Sequence, residues 1–383
     1  MATSQSDIRV QHRLTHRRRA EPAQTVQAVG PGTFESLGQR AMGAISTRKD
    51  EHLDIVLSGK AAGRGPAHPF DRYRFVNEAA PVLRKADISL ETPFLGKTLR
   101  APLLISAMTG GPRRAETINV ALAEAAEAAG IAMAVGSQRV AIEEAADGGL
   151  AKALRRAAPT IPLLSNIGAA QVALWSSPAP ALRAIEMIEA DALIVHFNPL
   201  QEALQPEGDT DWRNLWVALE RLVAAAPVPL VAKEVGCGIG AATARRLTDI
   251  GFAAIDVAGT GGTSWAAVEA ARGASHAEQA VAAPFHDWGI PTPEAIIDVR
   301  AALPDIPIIA SGGIRHGIDA AMAIRLGANL VGQAANLLEP ALRGPDAVTQ
   351  ALSTTTEQLR IVCFCTGAAD LEALRLADLK TGP

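Results

Sequence analysis

Eight short apolar runs, each followed by a stretch long enough for a helix, set the limits on what this chain can fold into. The runs are Pro102 to Ala107, Ile131 to Val135, Ile161 to Ser165, Ala192 to Phe197, Val228 to Lys233, Phe252 to Ala258, Ile306 to Ser311 and Asn329 to Gly332. Between them lie Ala-, Leu-, Glu- and Arg-rich stretches, among them Glu116 to Ala129, Trp212 to Ala225, Ala241 to Ile250, Pro293 to Ala302 and His316 to Leu326. Apolar runs of this length read as buried strands and the longer stretches as helices. Several of the latter end at glycine, as in Ala129-Gly130, Ile250-Gly251 and Leu326-Gly327, the usual helix stop. The alternation predicts an α/β fold, a TIM (β/α)8 barrel whose active site is built by the loops after the strands. A doubly wound sheet is the alternative. Its dinucleotide fingerprint is missing from the first strand-to-helix turn, Ala107-Met108-Thr109-Gly110-Gly111, so the barrel is preferred.

The rest of the chain frames this unit. Residues 1–45 are polar and irregular, with Arg17, Arg18 and Arg19 beside His12 and His16, and read as a solvated tail rather than a transit peptide. Residues 46–383 then form one catalytic domain. It has an N-terminal lead-in segment over 46–100, and C-terminal helices after Glu339 that close over the barrel or an oligomer interface. At 48% apolar and 20% charged residues, a chain of 383 residues can bury a large core. The net charge of −4 argues against a general nucleic-acid binder, so an anionic ligand must be held by local cations. No run approaches the roughly 20 apolar residues of a membrane span, and no secretory signal opens the chain. Three cysteines, Cys237, Cys363 and Cys365, are too few for a disulfide framework; they read as core sulfur in a reducing cytoplasm.

Chemistry concentrates at the strand ends. The fourth run feeds into His196-Phe197-Asn198-Pro199-Leu200-Gln201-Glu202, where strand alternation puts His196 and Asn198 on one side and the Pro199 turn brings Gln201 and Glu202 to the same end. Each of these alone is an ordinary polar strand end; four together point to proton handling and metal binding. Ser311-Gly312-Gly313, ahead of a helix, reads as a phosphate cradle. Gly332-Gln333-Ala334-Ala335 supplies its second wall, since the loops after strands seven and eight form the usual phosphate grip of this barrel. The phosphate could belong to FMN or to a phosphorylated sugar. Ala107, Met108, Thr109, Asn166 and Lys233 are spaced around the rim where a flavin ring would lie, and Lys233 would steady a reduced, anionic flavin, with Glu234 as its one ion-pair partner nearby in sequence.

These residues resemble a known family. Arg48-Lys49-Asp50-Glu51-His52, Ser106 to Gly111, Gly136-Ser137-Gln138-Arg139, His196 to Glu202, Lys233-Glu234-Val235-Gly236 and Gly259 to Thr263 are similar, in order, to the motif set of the type 2 isopentenyl-diphosphate isomerases, and the resemblance runs from about residue 46 to 376. It implies an FMN- and Mg2+-dependent interconversion of isopentenyl and dimethylallyl diphosphate, with NAD(P)H as reductant of the flavin and a homo-oligomer, tetramer or octamer. By position, Ala107, Met108, Thr109, Ser137, Asn166, Lys233, Thr263, Gly312, Gly313, Ala334 and Ala335 would hold FMN. Arg48, Lys49, Ser137, Arg139, His196, Asn198 and Gln201 would hold the substrate, Gln201, His196 and Asn198 would be catalytic, and Glu202 would face the metal. Two departures stand out: Gly240 occupies a position where many members carry Ser, and the leader is longer than usual.

Two rivals remain. A 2-hydroxy-acid oxidase or dehydrogenase shares the Ser-Gly-Gly handle, but its His-Gly-Gly-Arg loop after the sixth strand is here Thr260-Gly261-Gly262-Thr263, without base or carboxylate-binding arginine. A non-catalytic flavin-binding scaffold would have lost some of His196, Gln201 and Glu202, and all three are present.

Overall fold

The computed structural model describes residues 50–59, 61, 68–108, 113–143, 152–273 and 275–382, all in the second of the chain's two units. The expected tail at 1–45, Arg48, Lys49 and Thr109 lie outside the described residues.

Three short strands come first: β1 (Tyr73–Phe75), β2 (Thr92–Phe94) and β3 (Lys97–Leu99). They lead into the barrel strands β4 (Leu103–Ile105), β5 (Ala132–Ala134), β6 (Leu163–Gly168), β7 (Ala192–Phe197), β8 (Leu230–Glu234), β9 (Ala254–Asp256), β10 (Ile308–Ala310) and β11 (Leu330–Gln333). All eight predicted runs are strands, and each is parallel to its neighbours in a closed ring that joins β11 back to β4. The helices Arg113–Ala129, Leu215–Ala225, Ala241–Asp249, Thr292–Ala302 and Gly317–Leu326 fall where the sequence placed them. Gly130, Gly251 and Gly327, at φ of 66°, 111° and 126°, occupy the left-handed backbone that ends three of them.

Two apolar clusters show how the strands divide their faces. Leu104, Ala132, Ala134, Leu164, Ala192, Ile194, Val231, Ala254, Ile309 and Leu330 form one cluster together with Phe94 and Leu99. These are the inward residues, so the barrel is a packed core with the β2–β3 hairpin as its plug. The alternate residues, among them Leu103, Ile105, Leu193, Val195, Leu230, Ala232, Ile255 and Val331, pack outward with the helices. Because side chains alternate with a period of two, the next inward position on each strand is also fixed. Counting two residues on from the apolar layer gives Ser106, Gly136, Asn166, His196, Lys233, Asp256, Ser311 and Gly332.

One expectation needs correction. The helix Pro345–Cys365 packs against Arg113–Ala129 and Gly317–Leu326 on the outer ring, so it does not close over the barrel. Within the lead-in segment, residues 50–57 are helical, and β1 pairs antiparallel with β12 (Leu379–Thr381) near the end of the chain. Among the described residues no helix is long and apolar enough to cross a membrane.

Candidate active site at the barrel mouth

The inward polar layer is the floor of the site, and its neighbours in register are neighbours in chemistry. On β6, Asn166 donates from Nδ2 to the Val135 carbonyl at 3.1 Å and presents Oδ1 to His196 Nδ1 at 2.8 Å. An amide oxygen can only accept, so His196 Nδ1 carries its proton. Gln138 braces the same corner. Its Oε1 accepts from Asn166 N at 3.0 Å, and its Nε2 donates to the Ala184 carbonyl at 2.9 Å. Both polar ends of the Asn166 side chain thus meet protein groups, and Nδ2 carries a second N–H beside the one given to Val135.

After β7 the chain turns directly into the helix Pro199–Leu204, with proline at its first position where the missing N–H costs nothing. Asn198 precedes it without capping it; its Nδ2 reaches Gln201 Oε1 at 3.2 Å and Glu202 Oε1 at 2.9 Å. The structure therefore joins three of the four residues that the sequence grouped, while His196, two residues before Asn198, is held by Asn166. Gln201 continues outward through Nε2, which donates to Glu269 Oε1 at 3.1 Å.

Glu269, on the helix Trp265–Arg272, was not among the expected site residues. It is buried, and it meets His52 Nε2 at 3.1 Å and Arg272 Nη1 at 2.6 Å. Burial pushes its carboxyl up, yet the neighbouring His52, the Gln201 hydrogen bond and the Arg272 charge outweigh it and hold the pKa below the usual range. The signal was present in the spacing. Trp265, Glu269 and Arg272 share one helix face, and each meets the lead-in helix: Trp265 edge-on to His52 at 5.2 Å, and Arg272 to Glu51 at 3.2 Å. Residues 50–57, directly after Arg48 and Lys49, are thereby docked beside Gln201.

Lys233 corrects a second expectation. Its ion-pair partner is Asp256 on the adjacent strand β9, with Nζ 3.8 Å from Oδ2, and not the Glu234 carboxylate. Nζ also donates to the Glu234 carbonyl at 2.6 Å. The Glu234 carboxylate turns into its own loop, where Oε2 accepts from the backbone N–H of Val235 and Gly236 at 2.6 Å, Cys237, and Gly238 at 3.1 Å. Burial raises its pKa to about 7 against those donors. Arg139, expected to hold substrate, is paired with Glu143 at 2.9 Å and Asp209 at 2.8 Å.

The glycine loops have the shape of an anion cradle. Gly312 and Gly313 follow β10 at φ of 98° and 77°, and a Cβ on Gly312 would strike the Gly259 carbonyl. A Cβ on Gly332 would collide with Ser106 Oγ, so only glycine lets that layer close. Ala334 and Ala335 sit at the start of the helix Ala335–Arg343, adding a helix N-terminus to the grip. Ser137, Met108 and Thr263 lie on the loops after β5, β4 and β9, half-buried. Ser106 Oγ and Asn198 Oδ1 are buried polar atoms without hydrogen-bond partners among the described residues. A cofactor with a terminal phosphate and a polar ring fits this combination, because it would satisfy those atoms and occupy the cradle.

A metal is a different matter. Among the described residues no group of three His, Cys, Asp or Glu could hold one unaided. Both oxygens of Glu202 already accept N–H groups, from Asn198 at 2.9 Å and from the Asp209 backbone at 2.7 Å. Each retains a second lone pair, which suits a Mg2+ ion held mainly by substrate oxygens and water.

Known proteins bear on this geometry. Residues 60–159 and 196–381 match the FMN-dependent dehydrogenase family. The fold is similar to solved mandelate oxidases, one with a monooxide FMN adduct (TM-score 0.60, 18% identity, 85% of this chain and 95% of that one) and one with (S)-2-phenylpropionate (TM-score 0.60, 17% identity, 88% and 98%). In sequence the chain is 56% identical over 334 residues to an isopentenyl-diphosphate delta-isomerase of Xanthobacter autotrophicus, covering 87% of this chain and 97% of that one. It is 57% identical over 336 residues to one of Stutzerimonas stutzeri, covering 88% and 97%. At that identity over nearly the whole of each relative, this barrel enzyme belongs to the isopentenyl-diphosphate delta-isomerase family, within the broader FMN-dependent dehydrogenase family.

Proposed function

We propose that the protein interconverts isopentenyl and dimethylallyl diphosphate, with FMN reduced by NAD(P)H and with Mg2+, as a homo-oligomer in the cytoplasm whose residues 46–383 are one catalytic domain. The observation that carries this reading is the hydrogen-bonded group of Asn198, Gln201 and Glu202 directly after His196 at the end of β7, together with a 260–263 loop that has no acid, base or arginine. A hydride-transferring barrel needs a base beside the flavin. A double-bond isomerase needs instead to add a proton at one carbon and remove one across a three-carbon unit, away from water.

FMN would be held by the Gly312-Gly313 and Ala334-Ala335 cradle, by Ala107, Met108, Thr109, Ser137 and Thr263, and by Lys233 and Asn166 on the floor. When bound it supplies an electron-rich surface for positive charge developing on the alkene. The protein's own groups do the rest. Arg48, Lys49 and Arg139 bind the diphosphate, with Glu202 facing Mg2+ and phosphate oxygens. Asn198 and Glu269 fix the amide of Gln201 from both ends, so it positions the reacting carbons or relays a proton. His196, with Nδ1 held by Asn166, takes up or releases a proton only at Nε2.

The test is to incubate FMN-loaded, reduced protein with isopentenyl diphosphate and Mg2+ and to follow the alkene protons by NMR. Dimethylallyl diphosphate should accumulate without stoichiometric consumption of reductant. Oxidation of a 2-hydroxy acid, with no isomerisation, would return the protein to the oxidase reading.

A further inference from the structure

Asp256 is the buried charge that the proposed chemistry leaves unused. It is 0% exposed, at the end of β9. It stands directly above the apolar layer of the barrel, two residues on from Ala254 and in register with Lys233. Ser311 Oγ donates to its Oδ1 at 2.6 Å. Its Oδ2 faces Lys233 Nζ at 3.8 Å, too far for a hydrogen bond, and has no hydrogen-bond partner among the described residues. A carboxylate is desolvated at such a site only at a large cost unless a cation lies beside it. The other acid near Lys233, Glu234, offers its carbonyl while its carboxylate is saturated by four backbone N–H groups. Both carboxyl groups act on the Lys233 ammonium, and Asp256 is the one that faces it from the neighbouring strand.

We propose that Asp256 is a positioning residue that holds Lys233 at the floor of the mouth and offsets part of its charge, so that a reduced flavin bound there stays more electron-rich than beside an uncompensated lysine. This rests on the reading of Lys233 as a flavin contact. Opposite charges close together partly cancel at a third site, and a cation beside the flavin favours its anionic reduced form. Asp256 thus works against Lys233 and lowers the flavin's affinity for electrons. That trade suits a flavin used for its electron density and not for net electron transfer. Ser311 belongs to the same device, since its hydroxyl fixes which oxygen of Asp256 faces the lysine.

The test is the midpoint potential of the FMN-loaded protein, by equilibration with a redox dye. Asp256→Asn keeps the shape and can still accept from Ser311. It should shift the oxidised-to-reduced equilibrium toward reduced flavin at least tenfold, about 30 mV for a two-electron couple. Lys233→Gln should move the potential the other way. In the Lys233→Gln background Asp256→Asn should have little effect, because without the ammonium the buried carboxyl takes up a proton. If Asp256→Asn does not fold, Asp256→Ser removes the same charge and reads the same shift. An unchanged potential in the Asp256 variant, with Lys233→Gln still active on the flavin, would overturn the proposal and leave the Lys233 reading standing. Equal shifts in both backgrounds would also overturn it, since Asp256 would then act without the lysine. No response to Lys233→Gln would remove the Lys233 reading, and the proposal with it.

Discussion

Asn166 Oδ1 lies 2.8 Å from His196 Nδ1 across two neighbouring strands, and the same amide donates to the Val135 carbonyl. The arrangement sets the tautomer of the one imidazole in the inner layer. Asn166→Leu should leave a buried ring N–H and a buried carbonyl unpaired, at a cost of about 1–3 kcal/mol for each. Denaturant unfolding should show the loss at unchanged slope, and turnover should fall further than stability alone predicts.

Glu269 gives a prediction that the sequence motifs did not. Glu269→Gln removes the charge that Arg272 and His52 hold and loosens the Nε2 end of Gln201. Turnover should drop about ten- to a hundredfold, the worth of one charge-assisted hydrogen bond. The flavin absorption spectrum should not change.

Glu234 should make stability depend on pH. Its folded pKa, about 7, lies above the ordinary value of 4.5. Its contribution to stability is then fully present below about pH 4.5 and is lost as pH rises through about 7. Chemical denaturation across that window should show stability declining in the unmodified protein. The decline should be smaller in Glu234→Gln, which keeps an acceptor for the 235–238 loop.

Lys49→Ala should weaken isopentenyl diphosphate binding by about 1–3 kcal/mol, the range for one charge-assisted hydrogen bond, without altering the flavin spectrum. The lead-in helix just after it is fastened beside Gln201 through His52 and Glu51. With Arg139 paired to Asp209 and Glu143, loss of the Lys49 charge should be felt in substrate affinity. Unchanged substrate affinity in isothermal titration would assign Lys49 to the fold.

Removing residues 1–40 should leave activity intact. The match covers 97% of the Xanthobacter relative and only 87% of this chain, so the relative is a shorter polypeptide. Activity and thermal unfolding of the truncated protein check this directly.

What the sequence determined by itself was local. Apolar runs of strand length, helix-length stretches stopped by Gly130, Gly251 and Gly327, and the period of two along each strand are enough to specify the barrel, its inward apolar layer and the polar layer above it. His196, Asn198, Gln201 and Glu202 were legible as a group because one strand end and one helical turn carry all four. The pairings that set the electrostatics were decided only by the closed ring. Lys233 meets Asp256 because β8 lies beside β9, Gln201 meets Glu269 because two loop helices lean together over the mouth, and Arg139 meets Asp209 across the same rim. Each pair joins residues from different strand-to-helix units. Charges act through space, so no local pattern could reveal which acid would neutralise which base.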